Sequence, residues 1–513
     1  MTVDIARKRG AMQRSMQRSL LPGRFRELLA DRAYQTGWRS RLRLDVILLV
    51  ACVAFGGLAA WNLKYALIGL LVAGLSGWVL ARPQVAAYLL ILLTPLIVGV
   101  NAGAAALRPN EALIVLFAVL VIVRWVAGLR TGERRWPKLD KVDISLIALG
   151  LTSSVLPLLM MVARQRQITA DDLLYSIVIW KLLAEYVIVR STITTREQAM
   201  KCLWLSMIAA AIVCVIGILQ SLNLLGVPAL LAHFYAPLGQ ESAVSIGRGS
   251  SLLSLPAAVA DLAILNLGIA IAMLARAGKG NRKWLAGMAI VFVLGVVAAA
   301  EFSTVIGLVI ALIVLVVLTG YKRLLGYAVP VAIVGIIALW PVIQMRLTGF
   351  QSASGLPVSW ETRLTNLRTY FWPQLFSDNN WILGVRPSAR VAVPTQLYGY
   401  VWIESGYTWL LWGGGLPLLG SYIAFAVYAI RKGWALARRQ GPAAIAGTAV
   451  AAALAAQLVS MLFDPHLTYR GSGDALFLIL ALARIIPARR AAATARPKPA
   501  AAAATPDRQE VPA

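Results

Sequence analysis

An all-α bundle of transmembrane helices carrying one large extracytoplasmic loop is the fold class this sequence predicts, and three observations predict it. Of 513 residues, 59% are hydrophobic and only 14% charged, with mean hydropathy +0.74. That is too apolar for a soluble multidomain protein. Runs of about 18–22 apolar residues recur along the chain, the length a helix needs to cross a bilayer. Arg and Lys gather in alternate loops between these runs, as the positive-inside rule requires of a multi-pass protein.

Taken in order, residues 1–43 form a basic arm suited to lying on anionic lipid at the cytoplasmic face. A transmembrane bundle over 44–343 follows, with spans expected at 44–62, 65–81, 84–107, 112–129, 142–163, 173–190, 202–225, 256–276, 284–300, 302–319 and 324–343. Residues 344–402 cannot sit in lipid and make the large loop. Spans at 403–430, 442–463 and 474–487 close the bundle, for about 12–14 crossings in all. Residues 488–513 are an Ala/Pro-rich tail with nothing to bury, expected to be disordered and cytoplasmic. This count puts both termini in the cytoplasm and the loops 226–255, 344–402 and 464–473 on the opposite face.

The formal charge of +27 and pI near 10.7 are a topology signal, because most of the excess lies in the arm, the tail and the cytoplasmic loops. Nucleic acid is not an expected partner. Cys52, Cys202 and Cys214 all fall in apolar runs and make neither a disulfide framework nor a zinc motif. With two histidines, no Walker loop and no external Asp-x-Asp, no cofactor or metal is expected.

Polar chemistry gathers on the external face. The large loop holds Arg346, Arg363, Arg368, Arg386 and Arg390 among Trp360, Tyr370, Trp372, Trp381, Tyr398, Tyr400 and Trp402. Guanidinium forks suit phosphate or carboxylate, and aromatic faces suit sugars; interfacial anchoring of the same aromatics is the plainer reading. Arg248 lies between Gly247 and Gly249, where backbone can approach a ligand closely or the arginine can meet a lipid headgroup. Asp464, His466, Tyr469, Arg470 and Asp474 share one short turn, either a proton-transfer site or a hydrogen-bonded cap on two helix ends. Lys181 and Glu185, four apart in one span, read foremost as a structural ion pair; Asp261 and Glu301, near the external membrane level, have open roles.

From the Arg248 loop to Leu419 the chain resembles the O-antigen ligase and polymerase family of bacterial membrane proteins. Arg363-Leu-Thr-Asn-Leu-Arg368-Thr-Tyr-Phe-Trp372 and Ile382-Leu-Gly384-Val look like parts of that family's large loop. The loop ends in a frame matched here by Glu404-Ser-Gly-Tyr407-Thr-Trp-Leu-Leu411-Trp-Gly-Gly-Gly415-Leu416, with Tyr407, Leu411 and Gly415-Leu416 in register. Glu404 falls where ligases carry a catalytic His, and a mid-chain Ser-Arg pair has only Ser303-Thr304 as counterpart, which favours a polymerase.

The resemblance implies an inner-membrane enzyme that takes a glycan from undecaprenyl diphosphate and joins it to a sugar hydroxyl, alongside other polysaccharide assembly and export proteins. Glu404 is then the expected base, with His466 the next candidate. Arg248, Arg363, Arg368, Arg386, Arg390, Tyr407 and Arg470 are the expected substrate-binding residues. A cap on the helix starting near Tyr407 is the alternative role for Glu404. A ligase onto a lipid or protein acceptor remains an alternative, and a lipid-linked-oligosaccharide flippase is the alternative of a different class.

Overall fold

The computed structural model describes residues 62–100, 108–130, 138–235, 247–276, 281–321, 323–347, 358–393 and 399–484. The basic arm, the expected span at 44–62 and the Ala/Pro-rich tail lie outside these. The chain divides into two units, residues 1–77 and 78–513. The described part of the first is most of helix α1 (Leu63–Ala81), apolar on every side, with Leu63, Leu67, Leu70 and Leu71 exposed. A helix greasy all round suits lipid better than water.

The second unit is an all-α bundle. Its helices are α2 (Gln84–Ile97), α3 (Pro109–Arg130), α4 (Lys141–Ser153), α5 (Val155–Ala163), α6 (Ala170–Thr192), α7 (Arg196–Ser221) and α8 (Val227–Tyr235). Then come α9 (Pro256–Leu274), α10 (Arg282–Ala299), α11 (Phe302–Thr319), α12 (Arg323–Ala338) and α13 (Trp340–Leu347). The large loop folds as α14 (Val358–Asn366), a π-helical turn (Leu367–Phe371), α15 (Trp372–Phe376) and α16 (Asn380–Leu383), then an antiparallel pair β1 (Arg390–Ala392) and β2 (Tyr400–Trp402). The chain closes with α17 (Gly406–Ala437), α18 (Pro442–Ser460) and α19 (Ser472–Leu482). Among the described residues, nine helical segments are long and apolar enough to cross a membrane.

Local signals start these helices where the sequence places them. Asp140, Thr169 and Thr195 accept from the first-turn amides of α4, α6 and α7, and the Asp143, Asp172 and Gln198 side chains answer in reciprocal capping boxes. Pro256 and Pro442 open α9 and α18, where the missing N–H costs nothing. These two form the centre of the bundle and pack through small residues. A side chain on Gly268 of α9 would meet the Ala449 backbone of α18, and one on Gly433 of α17 would meet the Gly447 carbonyl of α18. Without a hydrophobic drive between helices in lipid, such close backbone approach supplies the contact.

At one end of the bundle, Asp140 and Asp143 of the α4 entry bind cations from three other elements. Arg190 of α6 meets Asp143 at 2.5 Å, Lys432 of α17 meets Asp140 at 2.5 Å, and Arg484 after α19 pairs with both. Burial raises the Asp140 carboxyl, but Lys432 and Arg484 outweigh it and hold it below the usual range. The ordering α4–α6–α17–α19 is fixed here.

At the other end two features depart from continuous spans. The first is α17, which breaks at Gly415, a residue at φ 65° where only glycine sits without strain. The break leaves the Trp412 carbonyl outside the helical ladder, and Val385 N–H (2.7 Å) and Arg386 N–H (3.3 Å) donate to it. Gly384, at φ 87°, lies against Gly414, and its carbonyl accepts from Arg164 Nη1 at 2.9 Å. Trp412 Nε1 donates to the Ser388 carbonyl at 2.8 Å. The loop is therefore stitched into the broken helix.

The second feature is α19, whose 11 residues rise about 16 Å, roughly half the thickness of a bilayer core. The turn before it dips into the bundle, with Gly471 packed on Leu253 and Val98. The Gly247–Leu255 segment dips likewise. Gly249 N–H donates to Ala298 O, Ser251 Oγ to Val213 O, and Gly99 N–H to Leu252 O. Irregular backbone at such depth survives only with its polar groups paired inside protein.

Gly415→Ala adds a Cβ that overlaps the Ile382 carbonyl and strains a left-handed residue. We expect a loss of about 2 kcal/mol or more, read as a lowered unfolding midpoint in detergent, with faster proteolysis inside residues 380–393.

Candidate functional site

The expected site residues sort into three groups. The central one is built on Arg363, which α14 projects toward three helix ends. Its Nη1 meets Asp464 Oδ2 at 2.9 Å, its Nη2 meets Glu301 Oε1 at 3.4 Å, and its Nε lies 3.7 Å from Glu404 Oε1. Arg248 pairs with the second oxygen of Glu301. Two arginines and three carboxylates thus meet where α10 turns into α11, α17 begins and α18 ends. The turn at Ala300 (φ 52°) delivers Glu301, and the Gly249 approach to Gly217 and Ala298 delivers Arg248. The glycine beside Arg248 answers to helix packing.

Glu404 is the most accessible carboxylate of the three, 35% exposed against 7% for Glu301 and 9% for Asp464. Partial burial pushes its pKa up, Arg363 pulls it down, and Asp464 pushes it up again, for a net rise. Asp464 is also raised, by burial against the pull of Arg363. The capping role is taken by another residue: Ser405 accepts from Thr408 N–H at the start of α17, and Glu404 stands one position outside. Phe371 and Trp412 meet edge to face at 5.3 Å, and Trp360 packs on Phe463 at 4.8 Å. These contacts hold the helix of Arg363 over the cluster. The intervening π turn carries Arg368, which is exposed and has no ion-pair partner among the described residues.

His466 sits just behind this cluster. It is fully buried, its Nδ1 lies 2.7 Å from Asp261 Oδ2, and its ring packs on Tyr469 at 4.9 Å. Tyr469 hydrogen-bonds Asp464, and burial followed by the Asp464 charge pushes its hydroxyl well above the usual range. Tyr407, by contrast, spends its hydroxyl on the Leu458 carbonyl at 2.7 Å and serves to tie α17 to α18.

Arg386 and Arg390 belong elsewhere. Arg386 holds Asp172 at 2.9 and 2.5 Å and also reaches Thr169, so it is built into the capping box of α6. Arg390 forks onto Asp171 and lies over the Tyr400 ring at 4.5 Å. Their carboxylate partners raise both guanidinium pKa values. Both arginines anchor the loop. Arg470 is removed from the centre too, 46% exposed and 3.6 Å from Glu111.

The expected Lys181–Glu185 pair gives way to a wider group: Lys181 bonds Asp474 of α19 at 2.5 Å, with the fully buried Glu185 in the same electrostatic field. Sequence reasoning left Glu301 and Asp261 with open roles and did not single out Asp171 and Asp172, which stand in the first turn of α6. The partners of Asp261, Asp171 and Asp172 lie 205 to 219 residues away and those of Glu301 lie 53 and 62 away, so no local signal marks them. Among the described residues there is no group of three or more His, Cys, Asp or Glu placed to hold a metal ion.

No family model, no curated protein and no solved structure matches this chain.

With Glu404 labelled by carbon-13, its carboxyl should titrate above the usual value for a solvated glutamate. Asp464→Asn removes a neighbouring negative charge and should lower that midpoint; Arg363→Gln should raise it. Carboxyl shifts in the same direction for both variants would contradict this electrostatic arrangement.

Proposed function

We propose that this protein is a polysaccharide polymerase of the bacterial inner membrane, moving an undecaprenyl-diphosphate-linked glycan onto an acceptor sugar hydroxyl at the extracytoplasmic face. The observation that carries this reading is Glu404. It is a carboxylate about one-third exposed with a raised pKa, set beside a guanidinium at the rim of an apolar bundle, near the 358–376 segment that carries Trp360, Arg363, Arg368, Tyr370 and Trp372.

A base for a sugar hydroxyl must be ionised yet basic, and burial opposed by Arg363 gives that balance. Glu404 takes the hydroxyl proton as the oxygen attacks the anomeric carbon from the side opposite the diphosphate, so one displacement inverts that centre. The leaving diphosphate gains charge, which cations at this face can stabilise. Arg363 is already shared among three carboxylates, so its part is to tune and hold Glu404. Arg248 and the exposed Arg368 are better placed to meet phosphate.

A ligase would use the same chemistry on a different acceptor. A flippase is the competing class, and the buried Lys181–Asp474–Glu185 group is the observation in its favour, since intramembrane charge marks transport paths.

Glu404→Gln keeps the shape and removes the base. In a purified assay we expect transfer to fall by about 100-fold or more while lipid-linked donor still binds. Ordinary turnover in that variant would end the reading. In cells lacking the gene, single lipid-linked repeats should accumulate on the outer leaflet; long chains there would point to a ligase, and repeats trapped on the inner leaflet to a flippase. For the topology, a cysteine at Ser377 should react with an impermeant thiol reagent added outside and one at Glu197 should not.

A further inference from the structure

Behind the acid cluster lies a second polar site that the transfer chemistry above does not use. Asp261 of α9, Gln457 of α18 and Ser472 of α19 line a cavity of about 20 Å³, walled otherwise by Ile264, Ala453 and Leu476. Gln457 Oε1 and Ser472 Oγ are buried, and neither has a hydrogen-bond partner among the described residues. Native interiors rarely leave such atoms unpaired, and a polar cavity of this size holds one water molecule. One water placed there would donate to Gln457 Oε1 and to the Asp261 carboxylate while accepting from Ser472 Oγ–H, which would satisfy all three groups at once.

Asp261 is also the residue that grips His466, at 2.7 Å through Nδ1. A carboxylate acceptor at Nδ1 keeps the proton there and leaves the Nε2 lone pair bare. Nε2 is itself buried with no partner among the described residues, and the ring faces Tyr469, which reaches Asp464. The order of groups from the rim inward is then Glu404, Asp464, Tyr469, His466, Asp261 and the cavity. The charged neighbours of His466 are Asp261 on α9 and Asp464 on its own turn, with Arg363 of α14 beyond Asp464.

We propose that Asp261, Gln457 and Ser472 hold one buried water, and that this water with Asp261 and His466 forms a proton relay behind the acid cluster. The proposal deepens the transfer reading and rests on it for the source of the proton. The acceptor hydroxyl loses one proton to Glu404; Asp464 and the Tyr469 hydroxyl bonded to it lie between Glu404 and His466 and pass that proton inward, and the bare Nε2 of His466 takes it as an imidazolium facing the Asp261 carboxylate. Glu404 is thereby an ionised carboxylate again while sugar still covers it, and the proton returns outward when product leaves. Asp261 is a positioning residue: it sets the tautomer of His466 and one face of the water site without touching substrate.

The chain has two histidines, His233 and His466, of which only His466 is buried, so histidine labelled with nitrogen-15 reports on each separately. In the full chain in lipid nanodiscs, His466 should carry its proton on Nδ1 with Nε2 bare. The Nδ1 proton and the Ser472 hydroxyl region should show cross-relaxation to a long-lived water. Asp261→Asn should mix the tautomers and cut the transfer rate about 10- to 100-fold at unchanged KM. The milder Ser472→Ala should abolish the water signal, keep the tautomer, and raise the solvent deuterium isotope effect on transfer. A wild-type His466 protonated at Nε2, or the lack of any bound-water signal, would overturn the proposal; so would a sodium-dependent shift of these resonances, which would mark a cation site instead. Should Glu404→Gln prove fully active while the spectra come out as expected, the polymerase reading fails and the water site stands.

Discussion

One backbone carbonyl, that of Trp412, decides how the 358–402 segment of this protein is held. Within lipid or a packed interior no water can satisfy a peptide group, so a helix can break only where something else takes up the freed partners. The break at Gly415 is taken up by the Val385 and Arg386 amides, and the Trp412 indole returns a bond to Ser388. A segment that would otherwise be a long surface loop becomes a fixed part of the bundle. The position of α14, and with it Arg363, follows from that anchoring.

The same loop is tied a second time by charge. Arg386 and Arg390 reach the first turn of α6 and pair with Asp172 and Asp171, so two cations that look like ligand-binding forks in the sequence are occupied in holding the loop down. This leaves Arg363 and Arg248 at the centre, with Arg368 exposed and without an ion-pair partner among the described residues. At Arg363 the three carboxylates outnumber the guanidinium, and the most exposed of them, Glu404, is the one whose charge the others govern. Its basicity is a property of the cluster rather than of the residue: burial and Asp464 raise it, and Arg363 restrains it.

Two short re-entrant stretches shape the space behind the cluster. The Gly247–Leu255 segment and the Asp464–Gly471 turn both descend among the helices, and the half-length α19 is the consequence of the second. By descending, they bring His466 to Asp261 and Ser472 to Gln457, and place Asp474 against Lys181. Polar groups enter a largely apolar interior in linked pairs, which is how a membrane protein can tolerate them.

The sequence by itself determined the bundle and most of its helix ends. Apolar run length, capping residues such as Asp140, Thr169 and Thr195, and prolines at first turns are local signals, and local signals suffice when every span must satisfy its own backbone. It also singled out Glu404, through the register of the Glu404–Leu416 frame with the family it resembles, and the pairing of the Ile382–Val385 segment with the Gly413–Gly415 run gives those two stretches a physical reason to occur together. What only the tertiary structure decided is the division of labour among like residues. Arg363 and Arg386 lie in one loop, yet one meets Glu404 and the other Asp172, because their partners come from the segment leading into α17 and from the first turn of α6. Asp261 gained a role only when the dipping turn carried His466 down to it. Charge pairing acts through space, and the chain order holds no record of which carboxylate a folded bundle will bring within 3 Å of a given cation.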